Sequence, residues 1–257
     1  MKTQGNAGKP TTAAGYRDTG NKLVVLPVGS FEQHGPHLPL NTDTVKVRLF
    51  AGCLAEELGA ALLPTMPIGQ SYEHSGFPGT VSLRPETFMA VIRDVAGELE
   101  RQGFTRLVVV NGHGGNFALP TVVRDINRSN GALRIVLANY WEYDTSEQGT
   151  GLRANEVHAG AWETSVMLAA FPHLVGDFEH VAPCEGLAEG LGDVRQSDLN
   201  HLGMAVLRPN GVWGDPRGAS AEAGEAIIAS IKQNLLAAVQ ERLAWFDRYP
   251  TYEGGES

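Results

Sequence analysis

The chain has 257 residues, 42% of them apolar and 19% charged, and a formal net charge of -9. That size and balance exclude wholesale disorder and fit one large folded domain. The acidic surplus argues against a nucleic-acid partner, which needs a basic surface, and no apolar run reaches the roughly 20 residues of a membrane span.

Met1 to Tyr16 is polar, rich in Gly, Thr and Ala, and lacks the apolar stretch of a secretory signal. Residues 1–20 therefore read as a flexible tail ahead of a single domain over 21–250, with the cytoplasm as the expected compartment. Leu23-Val24-Val25-Leu26-Pro27-Val28 reads as a buried strand. From Asp43 to Leu58, the spacing of Val47, Phe50, Leu54 and Leu58 predicts a helix that Gly59 stops. Ala61 to Met66 predicts a second strand, and Gly69 to Thr80 a loop carrying Tyr72, Glu73 and His74. Pro85 opens a helix to Gln102, with Phe88, Ile92, Val95 and Leu99 as its apolar stripe.

Leu107 to Val110 is continuously apolar, as in strands of a parallel sheet buried on both faces. The turn Asn111 to Asn116 follows, then a helix to about Asn130 and a strand at Ile135 to Ala138. Trp141 to Asn155 reads as polar loop, Ala159 to Phe171 as helix, Gly176 to Gly218 resists assignment, and Ala219 to Phe246 is a long amphipathic helix. Strands alternating with helices predict an α/β fold with a mainly parallel sheet. Right-handed crossovers then bring the loops after the first and third strands to one sheet edge.

Those loops carry the chemistry. In the stretch Glu32 to Asp43, Glu32 and His34 are two apart and, in extended backbone, point the same way. Asp43 is either a short carboxylate able to bridge two ions or simply a helix N-cap. His113, in Asn111-Gly112-His113-Gly114-Gly115-Asn116, reads as a ligand with space around it or as part of an anion-binding turn. The glycines miss the GxGxxG spacing, which favours the ligand. Glu163 interrupts an apolar helix, so it needs a cation or strong donors; an arginine is the structural alternative. His158, just ahead, suits a proton shuttle or a helix cap. Cys53, in a helical pattern, reads as a small core residue; with Cys184 it makes neither an expected disulfide nor a thiolate metal site. Oxygen and nitrogen donors without thiolates suit Zn, Mn or Fe. Two such divalent ions, roughly 3.5 to 4 Å apart, can hold a hydroxide and polarise a carbonyl. That points to hydrolysis of an amide C–N bond, with a metal-bearing binding protein and a nucleotide-binding protein as rivals.

The motifs Gly29-Ser30-Phe31-Glu32-Gln33-His34-Gly35-Pro36-His37, Asp43, Asn111 to Asn116, His158-Ala159-Gly160 with Glu163-Thr164-Ser165, and Gly211 to Pro216 resemble the creatininase (creatinine amidohydrolase) family, in the same order. The resemblance implies a three-layer α/β/α sandwich, usually a homohexamer, with a binuclear metal centre acting on a small-molecule amide. Carried over by position, it implies Glu32 and His113 on one ion, His34 on the other, Asp43 between them and His158 as proton donor or substrate contact. Creatininases carry a Tyr and a metal-binding Glu where this chain has Gly114 and Gly115; Glu163 is the candidate to replace the lost ligand. They also carry Trp and Asp where this chain has Ala154 and Asn155. These departures argue against creatinine itself and toward relatives such as formamide deformylases or a peptide-trimming hydrolase. Glu73, His74, Trp141 and Asn155 are the candidate substrate-binding residues.

Overall fold

The computed structural model describes residues 12–13, 22–129, 131–154, 156–183, 194–249 and 252. Four parallel strands form its sheet: β1 (Leu23–Val28), β2 (Ala61–Leu62), β3 (Arg106–Asn111) and β4 (Arg134–Asn139), in the order β2-β1-β3-β4. Full burial of β1 explains its unbroken apolar run, because both faces of the sheet are covered. Successive side chains alternate between two cores. Leu23 and Val25, with Val108 and Val110, face α1 (Thr42–Leu58), α5 (Ala161–Ala170) and α7 (Ala221–Arg248). Val24, Leu26 and Val28, with Leu107 and Val109, face α2 (Pro85–Arg101) and α3 (Leu119–Arg128). The result is an α/β/α sandwich: the parallel α/β pattern read from the residues, in the three layers that the family resemblance implies. Among the described residues no helix is long and apolar enough to cross a membrane.

Three expectations need correction. The second strand stops at Leu62 instead of continuing to Met66. Pro64 and Pro67 have no N–H to give a ladder, and only a single bridge, Val28 to Met66, survives beyond it. The stretch from Trp141 is not plain loop: it holds a 3₁₀ turn (Tyr140–Tyr143) and helix α4 (Glu147–Arg153). Ser146 caps that helix by accepting from the Gly149 N–H, while Gly149 and Gly151 hide it from a propensity reading. Cys53 is only half-buried on α1, outside the core; Cys184 lies outside the described residues. The stretch 176–218 is described except for 184–193, and contains 3₁₀ turns at Gln196–Asn200 and Pro216–Gly218 and the short helix α6 (Met204–Leu207).

α7 packs along α5 in closest contact at Gly224. A Cβ there would collide with the Ser165 carbonyl and lie 2.8 Å from the Ala169 Cβ. Because the obstacle is mostly backbone, the two helices would have to part. Gly224→Val is therefore expected to lower the unfolding free energy by about 1–3 kcal/mol, read by urea denaturation, while Gly52→Ala, on open surface of α1, leaves it unchanged or slightly raised.

Candidate metal centre

The sheet order makes β1 and β3 neighbours, so the loops leaving their carboxyl ends lie side by side. A network fixes the second loop. Asn111 accepts from the His113 N–H and from the Asn116 amide, and donates to the His113 carbonyl. Asn116 in turn accepts from the Gln70 N–H at 2.9 Å, tying the turn to the segment that carries Glu73 and His74. The first loop is held by Gln33. Its Oε1 accepts from the Gly35 N–H, and its amide nitrogen donates to the Gly211 carbonyl and to His74 Nδ1 (2.8 Å).

Asp43, His113 and His158 line one cavity with Glu73, His74 and Glu163, and the fully buried Glu32 and His34 lie within ligand distance of them behind its wall. His113 has Nε2 at 2.9 Å from Glu32 Oε2 and Nδ1 at 3.2 Å from Asp43 Oδ2. His34 Nδ1 donates to the Glu32 carbonyl, which leaves Nε2 aimed into the cavity, 3.4 Å from Asp43 Oδ1 and 3.9 Å from Glu163 Oε1. The two oxygens of Asp43 thus face the two histidines. Asp43 is not the N-cap of α1; Asn41 holds that place, and Ser30 Oγ donates to Asp43 Oδ2 at 2.7 Å. His158 Nε2 donates to the Gln33 carbonyl at 2.8 Å, so its Nδ1 lone pair points inward, 3.9 Å from Glu32 Oε1 and 4.0 Å from Glu163 Oε2. Its aim depends on Ala159, held at φ 53°, and on pairing of the His158 backbone with Trp213 of the late loop. His37 lies one step out, bonded to Thr164 Oγ1.

Among the described residues three donor sets have metal-ligand spacing: Glu32 with Asp43 and His113, His34 with His158 and Glu163, and Glu32 with His74 and His158. Both oxygens of Glu32, Nε2 of His34 and Nε2 of His113 are buried and, although Glu32 and His113 face each other, none of these atoms makes an aligned hydrogen bond. Such orphaned donor atoms are costly unless a cation takes them, so the residues fit a divalent ion.

Two residues do more than sequence reasoning assigned. Glu73, a candidate pocket wall, sits 3.3 Å from His113 Nε2. A Cβ on Gly115 would collide with its carboxylate, so Glu73 fills the space that a side chain at 115 would need. Lys46 was not anticipated. It is 1% exposed, contacts Glu163 Oε1 and lies 3.2 Å from Asp43 Oδ1. The partner of Glu163 is therefore a lysine, not the arginine that was the structural alternative. Asp43 and Lys46 are i and i+3 on α1, and that spacing is the signal that could have found it. Trp141 lines the cavity; Asn155 lies outside the described residues. The cavity holds about 540 Å³. A larger, mostly apolar groove of about 860 Å³ beside Leu63, Met66, Val95 and Phe104 has no donor set among the described residues.

The charges are strongly coupled. Burial opposes ionisation of Asp43 and Glu163, but Lys46 and His34 hold Asp43 well below the carboxylate range and Glu163 at about 2. Burial also opposes charge on His113, yet Glu32 and Asp43 hold its imidazolium well above the ordinary range. His158 goes the other way: burial, then His34, lowers it to about 3, so it is neutral at neutral pH. An ion can bind His113 only by displacing its proton. Metal uptake is therefore expected to release protons, and affinity to rise by about tenfold per pH unit for each proton released between pH 6 and 8. Calorimetry in buffers of different ionisation enthalpy would read this directly; uptake without proton release would contradict it.

The family model described as creatinine amidohydrolase matches residues 10–239 of the chain. A mycofactocin precursor peptide peptidase of Mycolicibacterium smegmatis is 33% identical over 222 residues, covering 81% of each chain. A creatinine amidohydrolase of Pseudomonas putida is 31% identical over 242 residues, covering 86% of this chain and 90% of its own. The solved structure named creatininase Mn superposes with a TM-score of 0.70 at 29% identity, over 87% of this chain and 91% of that one. Another solved creatininase, a variant, is named as a Zn-Zn type. With the fold, the motif order and the donor cluster all in agreement, the chain belongs to the creatininase family and is a metal-dependent hydrolase of the amidohydrolase type.

Proposed function

We propose that this hydrolase cleaves the C–N bond of a small amide, lactam or formamide at a centre for two divalent ions, Zn, Mn or Fe. The observation that carries the reading is the set of buried donor atoms, none with an aligned hydrogen bond, on Glu32, His34 and His113 around the shared carboxylate of Asp43. Glu32 and His113 would hold one ion and His34 and Glu163 the other. Bound there, the ions supply Lewis acidity that activates water and polarises the scissile carbonyl.

The chain's own groups then manage the proton. His158 is neutral, and its inward Nδ1 is a free acceptor, because Nε2–H is committed to the Gln33 carbonyl. It therefore first takes a proton from the attacking water and then hands it to the leaving nitrogen. Glu163, beside it, steadies the imidazolium between those steps. His74 accepts from Gln33 on Nδ1, so its Nε2–H faces Glu32 Oε1 at 3.4 Å and helps to orient that carboxylate. Glu73, His74 and Trp141 line the space left for substrate, whose volume suits a small molecule.

A short peptide is the second reading. Phe117, 66% exposed at the cavity rim, could rest a side chain of a longer substrate, and the likeness to mycofactocin precursor peptidases supports it. A homohexamer, on the strength of the family resemblance, belongs to the same proposal, as does the cytoplasm, on the strength of the polar stretch Met1 to Tyr16. Metal analysis and a panel of cyclic amides, formamides and short peptides test the reading. Glu32→Gln and His113→Ala are expected to lose the ions and at least about a hundredfold of turnover. Full activity in a metal-free His113→Ala protein would sink the proposal, and a metal-loaded protein inert on the whole panel would favour a binding role.

A further inference from the structure

We infer that the Lys46 ammonium competes with the second ion for its carboxylate oxygens, so that the two metal positions fill unequally. This rests on the metal reading above and concerns a residue to which that reading gives no part.

The asymmetry lies in the oxygens. Around the first position, Glu32 Oε2 is paired at 2.9 Å with His113 Nε2, a partner that an entering ion removes by displacing the imidazolium proton. Around the second, His34 Nε2 has no hydrogen-bond partner, but the facing oxygens are held by a cation that cannot leave. The two oxygens that face His34 Nε2, Asp43 Oδ1 at 3.4 Å and Glu163 Oε1 at 3.9 Å, are the same two that Lys46 Nζ engages. The ammonium cannot retreat to solvent, since its side chain is 1% exposed. The buried Tyr140 phenol also interacts with it. An ion entering between His34, Asp43 and Glu163 must share oxygens with a fixed positive charge.

Charge balance points the same way. Five carboxylates, Glu32, Asp43, Glu73, Glu156 and Glu163, surround the cavity with the Lys46 ammonium and the Arg153 guanidinium. The first divalent ion leaves that cavity negative. The second carries it past neutrality, in surroundings where uncompensated charge is costly. Lys46 thus makes the second position the weaker one without touching the first ion's own donors, apart from the shared Asp43.

The test is a Mn²⁺ titration of metal-stripped protein, followed by calorimetry and by the electron paramagnetic resonance of bound Mn²⁺. Wild-type protein is expected to show two steps, the first at least about tenfold tighter, with the spin-coupled pair signal absent until the second step. Lys46→Met and Lys46→Gln, checked for fold by circular dichroism, should tighten the second step about tenfold and move the first less than about threefold. Two equal steps in wild-type protein overturn the inference and leave the hydrolase reading intact. So does a second step unchanged in both variants. Absence of Mn²⁺ uptake in wild-type protein overturns both. The wild-type titration decides by itself if neither variant folds.

Discussion

Everything at the centre of this molecule follows from gathering carboxylates where water cannot reach them. Glu32 is fully buried and Asp43 nearly so, and Glu163 of α5 lies close by on the same side of the sheet as α1. An isolated buried carboxylate would protonate or unfold the site. Here each has a compensating partner: His113 for Glu32, Ser30 and His34 for Asp43, Lys46 for Glu163. The compensation is incomplete, and the missing part is the right size for divalent cations. The sheet supplies the first partners through the loops of β1 and β3. The helices supply the rest, Asp43 and Lys46 from α1 and Glu163 from α5.

Much of this was legible in the residues because parallel α/β architecture leaves a strong trace. Strands β1, β3 and β4 stand out as apolar runs, and their crossovers dictate which loops meet. Glu32, His34, Asp43 and His113 are visible for the same reason: polar donors placed directly after buried strands or at a helix start. Helix α4 was invisible, since its glycines and polar residues carry no apolar period and its stability comes from a cap and from packing on α7. Lys46 was hidden for a different reason, its i, i+3 spacing from Asp43 being the one trace it left. A lysine between two valines on an amphipathic helix ordinarily reaches solvent, and only the tertiary position of Glu163 turns it inward.

Glu73 shows how space left by one segment can be filled from another. In the creatininases that the motifs resemble, the residue two after the histidine carries a carboxylate of its own. Here that position is Gly115, and the carboxylate in its place arrives from a loop more than thirty residues earlier in the chain. The two solutions are mutually exclusive in space, because a side chain at 115 and the Glu73 carboxylate would occupy the same volume. A carboxylate delivered by a loop approaches His113 from the side of the cavity that receives substrate. The change therefore alters the shape of the pocket even where it preserves its charge.

Ala159 carries a consequence of its own. A non-glycine residue in the left-handed region costs about 1–2 kcal/mol. Glycine would meet the same φ with no steric penalty, yet it would also give the His158 backbone many other conformations to visit. With alanine, the unfolded chain has fewer states to lose, and the pairing of His158 with Trp213 leaves the folded chain little freedom. The imidazole that must both take and return a proton is in this way carried on a backbone stiffened on both sides, so its alignment does not have to be recovered at each turnover.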